Sequence, residues 1–128
     1  MEGFMDRAPK EVHAALPMSK GTGADFSRHP GAEKHEMAKR YARLVAGSRN
    51  FAAAASFAAK QRTTYDDLCT TLKRYNEDLI KALKTDPAHA DVIHAQFELC
   101  AELTAILFSD DEAAMLRRRG KAAQAAAA

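Results

Sequence analysis

A large net charge, paired cysteines and long apolar runs are all missing from this sequence. Across 128 residues the formal net charge is only +2, too small to announce a nucleic-acid or membrane binder. The two cysteines, Cys69 and Cys100, show no CxxC spacing and lie inside apolar helical patterns. They are expected as reduced core residues. The longest uncharged stretch, Asn50 to Ala59, is far short of the ~20 residues needed to cross a bilayer. The first residues, MEGFMDRAPKEVHAALPM, carry Glu2, Asp6 and Glu11. They lack both the apolar run of a signal peptide and the acid-poor, Arg-rich character of a mitochondrial presequence. A cytoplasmic protein with no membrane span is the expectation.

Glycine and proline are scarce after residue 31. Residues 1–31 hold four of the six glycines and three of the four prolines, punctuation that prevents any long regular element. Residues 1–31 are therefore expected to form an extended N-terminal arm, flexible or docking on a partner. Its one local structure is a short helix from Lys10 to Leu16, opened by Pro9 and closed by Pro17. Val12, Leu16, Met18 and Phe26 are the side chains it offers for docking. Residues 32–119 are read as a helical bundle domain, and residues 120–128 as an Ala-rich C-terminal tail.

Pro30 suits a first helical turn, where its missing N–H costs nothing. Met37, Tyr41, Leu44, Ser48, Phe51, Ala55 and Ala58 follow at alternating spacings of 4 and 3, a heptad seam. One helix is expected, weakened at Gly47-Ser48, since a mid-helix glycine costs about 1 kcal/mol relative to alanine. Alanine-rich Phe51–Ala59 lets another helix approach closely. Thr63 or Thr64 is placed to cap a second helix, with Asp66 and Asp67 in its first turn. That helix carries Tyr65, Leu68, Leu72, Tyr75, Leu79 and Ala82 along a second seam. A continuous rod through both helices is the alternative.

Asp86-Pro87 supplies an N-cap and a first helical residue, and so short a connection returns the chain antiparallel. The third helix, Pro87 to about Phe108, is apolar over a wide arc and should be the most deeply buried. Its polar residues Asp91, His94, Glu98 and Glu102 fall on one narrow stripe. Ser109 to Glu112 opens a short fourth helix that ends in Arg117-Arg118-Arg119, with Gly120 as its stop. The predicted class is all-α: an antiparallel three-helix bundle, or a long helical hairpin, with coiled-coil-like seams and the N-terminal arm.

The small net charge conceals segregation. Residues 32–62 carry seven cations against Glu33 and Glu36, a net +5, whereas residues 85–116 carry seven acids and no Lys or Arg. Residues 117–121 add four cations. Either the first and third helices lie side by side, or the basic helix faces outward toward an acidic partner. Internal pairing is the favoured arrangement.

Sites for chemistry are sparse. Asp91-Val-Ile-His94 has the i, i+3 spacing of half a dimetal site, yet neither the second pair nor two further inward carboxylates accompany it. His89 and His94, five apart, fall on different helix faces. Neither cysteine has a neighbouring base. Lys20-Gly21-Thr22-Gly23 lacks the trailing Lys-Ser/Thr of a phosphate loop. No catalytic residue, metal or cofactor is expected. The favoured role is a non-catalytic structural subunit or adaptor of an assembly, cytoskeletal or ciliary by its charge, that packs on other helical proteins. Lys39, Arg40, Arg43, Phe51, Arg117, Arg118 and Arg119 are its expected contacts, the cations for an acidic protein surface. A nucleic-acid-associated protein using the same basic elements ranks second. A metal-dependent helical enzyme ranks third.

Overall fold

A computed structural model of the protein describes residues 3–19, 23–48 and 55–127. The chain is all-α. Five helices carry it: α1 (Phe4–Ala15), α2 (Ala32–Ser48), α3 (Ala55–Thr85), α4 (Ala90–Leu107) and α5 (Asp110–Ala127). Two-residue strands, β1 (Met18–Ser19) and β2 (Gly23–Ala24), pair antiparallel between α1 and α2.

The N-terminal segment departs most from expectation. In place of a short helix beginning at Lys10, α1 starts at Phe4 and runs through Pro9. A proline inside a helix forfeits one backbone hydrogen bond and costs about 3 kcal/mol. Burial supplies the compensation: Met5, Ala8, Val12 and Ala15, spaced 3, 4 and 3, all enter the core. Leu16 and Phe26 join them, while Met18 stays exposed. Beyond α1 the chain is latched to α3, where the Asp78 carboxylate accepts the Ala24 N–H at 3.0 Å. Gly23 has φ +89°, and a Cβ there would lie 2.8 Å from Asp78 Oδ2, so only glycine fits this crossing.

α2 and α3 are separate helices, not a rod. The Gln61 amide donates to the Val45 carbonyl at 2.9 Å, whereas sixteen residues of continuous helix would hold such groups roughly 24 Å apart. α3 begins before Thr63 and Thr64, which are interior helical residues and cap nothing. Of its expected seam, Leu68, Leu72, Tyr75, Leu79 and Ala82 are buried and Tyr65 is half-buried. Of the Ala-rich stretch, residues 51–54, Phe51 included, lie outside the described residues.

A 3-10 turn, Pro87–His89, leads into α4. Asp86 makes no side-chain cap; its carboxylate binds His89 Nδ1 at 2.9 Å. In α4, Ile93, Phe97, Leu99, Cys100, Leu103 and Leu107 are buried, and its end is fastened to α3 where the Tyr65 hydroxyl donates to the Leu107 carbonyl. Ser109 caps α5, its Oγ accepting the Glu112 N–H at 3.1 Å.

Gly120 does not stop α5, which continues to Ala127. A Cβ on Gly120 would lie 2.4 Å from the Phe97 ring. The missing side chain is what lets α4 press its phenyl ring against the α5 backbone.

Candidate protein-docking face

α2 has two dissimilar sides. Ala38, Tyr41, Ala42 and Val45 are buried, and α2 packs against α1, α4 and α3. The outward side carries half-buried Met37 with exposed Arg40, Arg43 and Leu44. Leu44 is 44 % exposed and its neighbour Val45 fully buried, so the predicted seam is one residue out of phase at this turn. An open hollow of about 840 Å³ lies against the outward side, lined by Glu33, Met37, Arg40, Arg43 and Leu44 and by Glu36, whose carboxylate Lys39 holds at 2.8 Å.

The orientation of α2 is fixed by a polar network under its inner side. Gln96 of α4, with no exposed surface, donates through Nε2 to the Ala15 carbonyl at 2.8 Å and to the Tyr75 hydroxyl at 3.0 Å. Its Oε1 stands 2.5 Å from His35 Nε2. An amide oxygen can only accept, so His35 carries its proton on Nε2. One buried side chain thereby joins α1, α2, α3 and α4. The His29 ring stacks on His35 at 4.7 Å, and Phe26 meets Tyr75 edge-on at 5.6 Å. Desolvation lowers the His35 pKa, and the nearby His29 and Lys39 push the same way against the Gln96 bond and Glu102.

Lys39 belongs to this inner edge, not to the free face. Its ammonium, on a side chain 14 % exposed, lies 2.8 Å from Glu36 and 2.9 Å from Glu102 of α4. Hydrogen bonding to Glu36, then to Glu102, raises its pKa. This is the one contact among the described residues that joins the basic and acidic helices by an ion pair. Arg40 and Arg43 form no hydrogen bond or ion pair among the described residues.

The C-terminal arginines divide similarly. Arg117 reaches Glu98 at 2.6 Å, and Arg119 makes a two-pronged pair with Glu77 at 2.8 and 2.9 Å. Arg118 is exposed. The acidic stripe of α4 is thus partly answered from within the chain, by Lys39 at Glu102 and by Arg117 at Glu98. His94 meets Gln124 at 3.0 Å. No group of three or more His, Cys, Asp or Glu side chains able to hold a metal ion occurs among the described residues. Both thiols have raised pKa values, chiefly through burial.

Gln96 is the residue that sequence reasoning passes over. Its signal is its place in the apolar arc of α4, three residues from both Ile93 and Leu99, where a polar side chain must find buried partners. Val45 has a signal as well: Ala38, Ala42 and Val45 keep helical spacing with Tyr41, but their small side chains weigh less in a periodicity than Met37 and Leu44. Among the described residues no helix is long and apolar enough to cross a membrane. No family model, curated protein or solved structure matches this chain.

Proposed function

We propose that this protein is a non-catalytic helical adaptor whose outward α2 side, Met37, Arg40, Arg43 and Leu44, receives an acidic helical segment of a partner. In this reading α3, α4 and α5, in place of the three helices expected from Pro30 to Phe108, form an antiparallel three-helix bundle that carries the α1–α2 layer and presents α2. The observation behind it is the coincidence of an exposed leucine and two arginines, unpaired among the described residues, on one side of a helix whose other side is held by hydrogen bonds to the buried side chains of Gln96 and Gln61. Apolar side chains in the hollow would supply affinity, and Arg40 and Arg43, facing Glu33 alone because Lys39 holds Glu36, would select acidic partners and set orientation. A cytoplasmic lattice with an acidic surface, cytoskeletal or ciliary, is one partner of that kind.

The test replaces Arg40 and Arg43 with Glu and Leu44 with Asp, all exposed positions, and checks helicity by circular dichroism. Wild-type protein should recover a defined set of proteins from its own cells at low and high salt. The triple variant should recover them at least roughly tenfold less, the effect of removing hot-spot contacts. Equal recovery by a folded variant overturns the proposal. Recovery that depends on Arg118 and disappears with nuclease puts nucleic acid in place of a protein partner.

A further inference from the structure

A second concavity, sharing no lining residue with the hollow on α2, lies in the groove formed by α3, α4 and α5. It measures about 370 Å³, within the range of pockets that hold small molecules. Phe108, Met115 and Leu116 supply apolar walls, and Met115, 51 % exposed, is the most exposed large apolar side chain described. Polar groups cross the bottom. Asn76, also a lining residue, is only 8 % exposed. Its Nδ2 makes a long 3.3 Å contact to the Thr104 hydroxyl, and its Oδ1 is buried without any hydrogen-bond partner. The Thr104 hydroxyl already donates to the Cys100 carbonyl at 2.7 Å, so it cannot also donate to Asn76.

Unpartnered buried amide oxygens are uncommon, because such a group forfeits its hydration for nothing in return. The one found here sits beside an apolar recess. The charges around the recess balance: Arg119 is engaged by Glu77, and Lys73 and Glu112 are of opposite sign. The Lys73 ammonium lies over the Phe108 ring at 5.0 Å. An ionised ligand would have to give up water where no uncompensated charge awaits it. A neutral aromatic body suits the thioether, phenyl and ammonium groups present.

We infer that the α3–α4–α5 groove is a binding site for a small neutral aromatic ligand bearing one O–H or N–H donor, a phenol or an indole in chemical class. The donor meets Asn76 Oδ1, which it reaches when the amide turns out of its weak contact with Thr104. The ring lies between Met115, Leu116 and Phe108. This site is independent of the docking side of α2.

Titration of the ¹⁵N-labelled full chain with phenol and indole, followed by two-dimensional NMR, tests the assignment. Saturable shifts are expected for the Asn76 side-chain amide and for backbone amides around Lys73, Thr104, Phe108 and Met115. Toluene, which lacks the donor, should bind roughly fivefold more weakly, the size of one net hydrogen bond, and benzoate no better than toluene. Asn76→Ala should erase the preference for phenol over toluene. Met115→Trp, at an exposed position, should block all of them while the thermal melt is retained. Equal binding of phenol and toluene, shifts confined to other surfaces, or no saturable shift overturns the proposal.

Discussion

Two parts of this molecule are held together by different physics. The α3–α4–α5 part is joined by large apolar side chains, with Leu72, Leu79, Leu99, Leu103 and Leu107 essentially without exposed surface. The α1–α2 layer is richer in small ones, Ala8, Ala15, Ala38 and Ala42 with Val12 and Val45, beside the larger Met5, Leu16 and Tyr41. Alanines bring backbones close but bury little area each, so the hydrophobic contribution per residue is smaller. Directed bonds make up the difference: His35 to Gln96, Gln61 to the Val45 carbonyl, Lys39 to Glu102, and Lys60 to Asp6 at 2.5 Å. The first part should therefore respond to cavity-forming substitutions and the second to loss of hydrogen bonds, protons or salt.

The largest effects test that contrast directly. Leu103→Ala should destabilise the whole protein by about 2–5 kcal/mol, as large-to-small changes do in packed cores. Leu44→Ala, the same change on the outward side of α2, should fall within about 0.5 kcal/mol of wild type. Urea unfolding of both variants measures the difference, and similar values would break the assignment of inner and outer sides. Gln96→Leu keeps the volume but strips partners from His35, Tyr75 and the Ala15 carbonyl. A loss of roughly 2–4 kcal/mol is expected. Hydrogen exchange should show α1 and α2 opening before α3–α5. Uniform loss of protection would mean that the two parts are one cooperative unit.

Next in size is Gly120→Ala, where sequence logic and structure give opposite signs. Helix propensity alone favours alanine by about 1 kcal/mol. The Phe97 ring occupies the space a Cβ needs, and overpacking of this kind costs about 1–3 kcal/mol. A lowered melting temperature is expected, and a raised one would show that Phe97 yields freely.

This residue also marks the limit of what a sequence can show in advance. The seam of α3 and the wide apolar arc of α4 are legible because Leu, Ile, Phe and Tyr recurring at spacings of 3 and 4 mark one side of a helix. Ser109 is legible as a cap because its role is local. Gly120 reads as a stop, and Pro9 as a start, because both residues usually serve so. Only tertiary contacts reveal that one is a close approach and that the other is carried through by buried Met5, Ala8 and Val12. In the candidate site, Arg40 and Arg43 are legible as exposed cations. Lys39, Arg117 and Arg119 are not separable from them, since their acids lie 3 to 63 positions away in the chain.

Acid should act on the α1–α2 layer first. His35 has its folded-state pKa lowered below 6.5, mainly by desolvation. Between the folded value and 6.5 the unfolded chain binds the proton and the folded chain does not. The contribution is therefore complete above pH 6.5 and is lost as pH falls through the folded value. His29 and Lys39 oppose the charge, and Gln96 and Glu102 favour it. Urea midpoints measured downward from pH 7 should decline in wild type, and less in His35→Gln. Identical slopes would remove His35 from the account.

The smallest effect concerns the ion pair joining the basic and acidic helices. Glu102→Gln keeps the shape of the side chain and removes its charge from Lys39. The Lys39 ammonium still holds Glu36 at 2.8 Å, so no uncompensated charge is left at that edge. Glu102 is itself about half exposed, at 47 %, and pairs of this kind are worth about 0–1 kcal/mol. A loss within that range is expected at low salt, shrinking as ionic strength rises. A loss of several kcal/mol, indifferent to salt, would mean that this pair carries the junction between α2 and α4. A value near zero leaves that junction to Gln96, whose own side chain has no exposed surface.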